Sequence, residues 1–239
     1  MTSVPNIFLV GASRGVGREI AKHLTVQKLN IKALLRSENA RAELETMGIK
    51  VVQGDTLNVD DVELAMLTDE PIHAVISTLG GLPTDTEKPD YPGNKNLIDA
   101  AIKAGVQKFI LVTSIGTGNS VGALSPQALT ALQTILIEKD KAEQHLIASG
   151  LNYTIIRPGG LKSEPATGNG ILTEDTRICG SIHRADVADL VCRCLNSKLT
   201  SNKILSAVDK NMGSWQLLVI LVGGRQRAEG RRQKLERYN

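Results

Sequence analysis

At 239 residues, with 41% hydrophobic and 22% charged side chains, the chain has the size and composition of one globular α/β domain with a full core. Aromatic content of 3% argues against a stacking platform for single-stranded nucleic acid, and three cysteines supply neither a disulfide framework nor a zinc site. The net charge of +3 is uneven: residues 213–239 hold six basic side chains against Glu229 and Glu236, a surplus of +4, so residues 1–212 carry −1 and make no electrostatic case for nucleic acid.

The apolar run Asn6–Val10 reads as a first strand, with nothing in Met1–Asn6 resembling a signal peptide. The turn Gly11-Ala-Ser-Arg-Gly-Val-Gly17 then opens a helix over 15–27, with Val16, Ile20 and Leu24 on its inner stripe. Strand, glycine turn and helix in that order make the first unit of a dinucleotide-binding fold. Gly11 permits the tight turn, Gly15 lets the backbone approach a diphosphate, and Gly17 lets the helix pack closely on the sheet. The helix N-terminus offers unpaired N–H groups to phosphate.

Strands over 31–35, 50–53, 73–77, 109–113 and 153–157 follow, alternating with helices over 39–47, 59–67, 93–104 and 127–149. A short strand near Arg177–Cys179, a helix over 185–195 and a last strand over 204–208 complete the pattern. Regular alternation predicts a doubly wound, mostly parallel sheet covered on both faces, in a single domain over residues 1–212. The segments 114–126 and 158–176 follow strand ends and are the expected substrate walls. Residues 213–239 break the alternation and read as a basic, poorly ordered tail rather than a functional module. Its run Trp215–Val222 is too short to span a membrane. Cys192 and Cys194 read as small buried hydrophobes, and a reducing, cytoplasmic setting is the default.

The strand ends carry the candidate chemistry. After the second strand stands Arg36, with no acid until Glu38, and Arg14 projects from the glycine turn toward the same place. An acid there would accept the ribose 2′-hydroxyl of NAD, whereas guanidinium groups suit the 2′-phosphate of NADP, so NADP is favoured over NAD. The other reading of Arg36 is a solvated loop cation. Asp55 either accepts from an adenine amino group or caps the following helix. Ser77-Thr78-Leu79-Gly80-Gly81 lets the backbone lie against a nicotinamide ribose, or is only a tight turn. Ser114 orients a substrate carbonyl or acts as a cap. Pro158, Gly159 and Gly160 are expected at the nicotinamide end. For His183, Arg184 and Asp186, capping and packing the late helix is favoured over substrate contact. His23, His73 and His145 are scattered, and no metal-ligand spacing emerges.

Gly11-x-x-x-Gly15-x-Gly17, Ser114 and Lys141 together resemble the short-chain dehydrogenase/reductase superfamily. The similarity is to its atypical NAD(P)H-binding group, which includes NmrA-like and biliverdin reductase B-like (flavin reductase) proteins. It rests on Tyr91-Pro-Gly-Asn-Lys-Asn-Leu-Ile-Asp-Ala-Ala, Phe109-Ile-Leu-Val-Thr-Ser, Glu138-Lys-Asp-Lys-Ala-Glu, Leu151-Asn-Tyr-Thr-Ile-Ile-Arg-Pro-Gly-Gly and His183-Arg-Ala-Asp-Val-Ala, and covers roughly residues 5–210. The resemblance implies that Gly11, Ser13, Arg14, Gly15, Val16, Gly17, Arg36, Asp55, Thr78, Leu79, Gly80, Ser114, Lys141, Pro158 and Gly159 surround NADP(H), with Ser114 and Lys141 nearest the chemistry.

Orthodox members use a Tyr-x-x-x-Lys pair as proton donor and ribose holder. Four residues before Lys141 stands Ile137, which does no acid–base work. The literal pair Tyr91-x-x-x-Lys95 contains Pro92 and Gly93 and lies before the fifth strand, and Tyr153 falls inside a strand. Without a tyrosine acid, alcohol–ketone exchange is disfavoured. Two expectations result: hydride transfer from NADPH to a small planar acceptor such as a flavin, quinone or bilin, or an NADP(H)-binding redox sensor or assembly factor without turnover. Nothing in the sequence implies a metal, and oligomeric state is open between monomer and dimer.

Overall fold

A computed structural model describes residues 4–81 and 86–213. In chain order the strands and helices are β1 (Asn6–Val10), α1 (Gly15–Val26), β2 (Asn30–Leu35), α2 (Arg41–Thr46), β3 (Lys50–Gln53), α3 (Val59–Leu67) and β4 (Ala74–Ser77). Then come α4 (Pro92–Lys103), β5 (Lys108–Val112), α5 (Pro126–Ala148), β6 (Tyr153–Pro158) and the short β7 (Gly160–Lys162). β8 (Gly170–Thr173), β9 (Ser181–His183), α6 (Arg184–Asn196) and β10 (Lys203–Asp209) complete the elements among the described residues.

Eight strands form one sheet in the order β3-β2-β1-β4-β5-β6-β10-β8. All neighbours are parallel except β8, which runs antiparallel to β10 at the edge. The expected doubly wound, mostly parallel sheet is what forms. Successive strand residues point to opposite faces, and apolar side chains occupy both. Ile7 and Leu9 of β1 join a core with α1, α2 and α6, through Ile20, Leu24, Leu44, Val187 and Val191. Phe8 and Val10 face the other way and pack with Val62 and Met66 of α3, Leu97 and Ile98 of α4, and Leu146 of α5.

The order reverses at β1. The chain runs outward through β2 and β3, then crosses back to place β4 on the other side of β1. Val10 pairs with Leu34 on one side and Ser77 on the other, so three strand ends open on one crevice, the point where open α/β sheets bind ligands.

Two expectations fail. Arg177–Cys179 is not a strand: Asp175 Oδ1 accepts from the Arg177 amide, and Thr173 Oγ1 accepts from the Asp175 amide, so side-chain turns take the backbone bonds a strand would use. The segment 158–176 is not an open loop either, because it contains β7 and β8, and β7 pairs with β9. Within 114–126, residues Gly118–Ala123 form a 3₁₀ helix tied to the body by Arg157, whose Nη1 donates to Asn119 Oδ1 at 2.5 Å. Gly213 bridges Gly180; the rest of the basic tail, with Trp215–Val222, lies outside the described residues. No helix among the described residues is long and apolar enough to cross a membrane.

Candidate functional site

The crevice above β1, β2 and β4 is a cleft of about 1290 Å³. Its floor is the glycine turn. Gly11 has φ of +89° and Gly15 of +57°, the left-handed region in which a side chain is strained. A Cβ on Gly11 would strike the Thr78 hydroxyl, and one on Gly17 would strike the Gly11 carbonyl, so both glycines are needed where strand, turn and helix touch. The start of α1 has no acidic residue in its first turn, and its N-cap, Arg14, makes no side-chain cap bond. The helix N-terminus therefore presents its amides and its positive dipole end without competition, the arrangement that suits a phosphate. A dinucleotide diphosphate fits this cradle chemically.

Charge in the cleft points the same way. Arg14, Arg18, Arg36, Lys139 and Arg184 line it, against Glu19, Asp55 and Glu164. Arg14 Nη2 donates to the Gly80 carbonyl at 3.3 Å, bridging the first and fourth strand ends. Arg36 stands at the end of β2 on the cleft wall. Arg18 is turned into the fold, donating to the carbonyls of Ala12 and Ser13 and pairing with Glu43.

Of the residues singled out from the sequence, Gly11, Ser13, Arg14, Gly15, Val16, Arg36, Asp55, Thr78, Leu79, Gly80 and Ser114 line this cleft. Thr78 donates from both its amide and its hydroxyl to the Val10 carbonyl and so locks β4 to β1. Asp55 does not cap α3. It accepts from the Leu57 amide within its own turn, and Asn58 caps the helix by accepting from Asp60. Ser114 Oγ donates to the Ile115 carbonyl at 3.0 Å and caps no helix. Gly17 is buried beneath the cleft as a packing contact.

Several placements differ from expectation. Lys141 is away from the cleft: its ammonium pairs with Glu138 at 2.6 Å and sits 5.9 Å from the centre of the Tyr91 ring, with 52% of the side chain exposed. Lys139 enters the cleft instead. Its Nζ lies 2.9 Å from Asp90 Oδ1 and donates to the Leu79 carbonyl at 3.4 Å. A residue two positions on along a helix is turned about 200° away, so only one of the two lysines can face the sheet. The position four before Lys139 is Ile135, half-buried and apolar, so the tyrosine is missing at the corrected position as well. Pro158 and Gly159 do not line the cleft; Pro158 is buried in β6, and a Cβ on Gly159 would strike the Gly180 carbonyl.

Arg184 was expected to serve its helix. It reaches across the cleft mouth, donating from Nη1 to Ser163 Oγ at 2.8 Å, with its Nε beside Gly15. Of the two expected walls, 158–176 contributes Leu161, Ser163, Glu164 and Pro165, while 114–126 contributes only Ser114. Asp186 does not cap α6 either: it accepts from the amides of Thr167 and Gly168. With His183 and Asp209 it forms a buried group that no spacing in the sequence announced.

Beneath the end of β5, Thr113 Oγ1 donates to Glu143 Oε1 at 2.6 Å, and Arg157 donates from Nε and Nη2 to both oxygens of the same carboxylate. Glu143 and Arg157 are almost wholly buried. The pair fixes Thr113 beside Ser114 on the cleft floor. Tyr91 packs edge-on against His145, and Lys95 pairs with Asp99, so the literal Tyr–Lys spacing builds a surface contact.

The profile of a family described as NAD(P)H-binding matches residues 11–198. A chloroplastic protein of Arabidopsis thaliana, At2g34460, is 35% identical, the match covering 84% of this chain and 76% of that protein. The photosystem II assembly factor Ycf39 of Cyanophora paradoxa is 29% identical over 85% of this chain, which spans 63% of that protein. Among solved structures, ChuY, an anaerobilin reductase from Escherichia coli O157:H7, superposes with a TM-score of 0.80 at 32% identity, covering 87% of this chain and 98% of that one. The chain belongs to the NAD(P)H-binding family, as the resemblance read from its sequence leads one to expect.

Proposed function

We propose that the protein binds NADP(H) in the cleft at the β1–β4 reversal and reduces a small planar acceptor such as a flavin, quinone or bilin. The acid-free, uncapped start of α1 under a glycine turn carries this reading. Gly11, Ser13, Arg14, Gly15 and Val16 hold the diphosphate, with Arg184 closing from the opposite wall. Arg36 reads the 2′-phosphate together with Arg14, which selects NADPH over NADH. Asp55 faces the adenine, while Thr78, Leu79 and Gly80 lie along the nicotinamide ribose. Ser114 and Lys139 flank the nicotinamide, Lys139 taking the role first expected of Lys141.

Bound there, a reduced nicotinamide would supply the hydride. The protein's own part is positioning. The buried Glu143–Arg157 pair holds Thr113 and Ser114, and the Asp90 carboxylate holds Lys139. Ile135 offers no proton, so the acceptor takes its proton from solvent, which restricts turnover to acceptors needing little acid assistance. The likeness to ChuY, an anaerobilin reductase, supports this acceptor class. A cytoplasmic setting and a small-molecule acceptor belong to the same reading.

Ile135 also favours a second reading, an NADP(H)-bound regulator or assembly factor without turnover, and the likeness to Ycf39 agrees with it. One experiment separates the two. Purified protein is given NADPH with a panel of flavins, quinones and biliverdin, and its NADPH affinity is measured in the same preparation. NADPH consumption above the buffer rate supports the reductase. Tight binding with no consumption supports the regulator, and no binding rejects both.

A further inference from the structure

Where β9 meets α6 and β10, three ligand-bearing side chains come together away from the cleft floor: His183, Asp186 and Asp209. One donor atom from each lies within 4.8 Å of the others, and all three residues are buried. Asp186 is 3% and Asp209 0% exposed. Two carboxylates taken out of water this close together are costly unless a cation compensates them.

Hydrogen bonds in place do not remove the charge. Asp186 accepts from the amides of Thr167 and Gly168, and Asp209 Oδ1 accepts from the Asn211 amide. The Thr167 hydroxyl lies between Asp186 Oδ2 and Asp209 Oδ2 but has a single proton to donate. Among the described residues no lysine or arginine pairs with either carboxylate. The imidazole of His183 is the remaining partner. Its Nδ1 is buried without a hydrogen bond and faces Asp186 Oδ2 at 3.6 Å, too long for a hydrogen bond but close to the spacing of two ligands on one small ion. Its Nε2 points the other way, 3.6 Å from Glu164 on the cleft wall.

We propose that His183 Nδ1, Asp186 and Asp209 bind one divalent, zinc-class cation, with the Thr167 hydroxyl as a neutral fourth donor. One imidazole and two carboxylates suit zinc or manganese better than calcium, which takes six to eight oxygens. Two negative charges balance a dication, and the amides on Asp186 supply the outer hydrogen bonds that orient a carboxylate ligand. The ion would tie Thr167 to the start of α6 and to β10. The cleft wall 161–165 would then be held to the body independently of any nucleotide. This inference does not depend on the reductase reading.

The test uses the full chain, stripped with a chelator, equilibrated with Zn²⁺ or Mn²⁺, desalted and measured by elemental analysis. The wild-type protein retains a single ion per chain, and its unfolding midpoint rises by roughly 5–10 °C at a hundredfold excess over Kd. His183→Gln and Asp209→Asn remove a direct ligand and lose that ion, with affinity down by more than the roughly tenfold to hundredfold that an outer hydrogen-bond partner is worth. Should a variant fail to fold, the wild-type imidazole ¹⁵N spectrum decides: the His183 signals shift on adding Zn²⁺. A wild-type protein that retains no ion, variants that retain as much as wild type, or unshifted His183 signals would overturn the proposal.

Discussion

Exchanging Lys139 for methionine tests the assignment of the cleft lysine and its partner together. Asp90 is 1% exposed and Lys139 13%, with 2.9 Å between their charged atoms. Removing one member of a buried ion pair costs about 3–5 kcal/mol, because the other charge is stranded. The Lys139 ammonium keeps some solvent, which places the expected loss nearer 2–3 kcal/mol. At about 2–4 °C per kcal/mol for a domain of this size, the unfolding midpoint falls by roughly 4–12 °C. Lys141→Met removes only an exposed pair with Glu138 and shifts stability by about 0.5 kcal/mol or less. Scanning calorimetry with and without NADPH gives both readouts. Lys139→Met should also weaken NADPH by about tenfold, the worth of one charge-assisted hydrogen bond, and Lys141→Met should leave it unchanged. Adding Asp90→Asn to Lys139→Met recovers part of the stability but none of the affinity. Equal losses in the two lysine variants would refute the placement of Lys139.

Gly17→Ala drives a methyl group into the Gly11 carbonyl and the Thr78 hydroxyl, neither of which is free to move, and should cost about 1–3 kcal/mol by thermal unfolding while reducing NADPH affinity. A Gly17→Ala protein with wild-type stability and affinity would mean the turn is not tight. Asp69 is held below the ordinary carboxylate range by Lys50 first and Lys32 second, so the folded protein takes up its proton less readily than the unfolded chain. The stability it contributes is complete above the unfolded value near 4 and is lost as pH falls through the lower folded value. Asp69→Asn keeps the left-handed backbone at this position, and it should lower the unfolding midpoint at pH 7 and flatten its decline below about pH 4. Burial pushes the Cys192 thiol up to about 12, so it should resist alkylation at pH 8 until the protein unfolds; prompt labelling of the folded protein would contradict its burial.

The parallel sheet was legible because its strands are short apolar runs divided by helical periodicity, and β1, β3 and α3 fall at the expected residues. The glycine turn was legible for a local reason, since Gly11 and Gly17 answer contacts within a few residues or one strand away and Gly15 takes a left-handed backbone. Lys139 was harder, because Glu138-Lys-Asp-Lys offers two lysines. The discriminating signal was the stripe Leu136, Ala142, Glu143 and Leu146, on which Lys139 falls and Lys141 does not. Arg184 reaches the cleft because β7 pairs with β9, and the His183–Asp186–Asp209 group forms because β10 lies beside β9, both long-range arrangements that no spacing encodes. β7 and β8 were missed because Gly160–Lys162 is exposed throughout and carries no alternation, while β8 is recognised only through its pairing with β10.

The central claim is that the cleft is an NADP(H) site read at its far end by Arg36. Titration calorimetry of wild type and Arg36→Asp with NADPH and with NADH tests it most directly. Wild type should bind NADPH more tightly, and the substitution should weaken NADPH by about tenfold or more while leaving NADH nearly unchanged, since NADH carries no 2′-phosphate for a guanidinium to meet. Equal losses for both nucleotides, or no binding of either by wild type, would contradict the account.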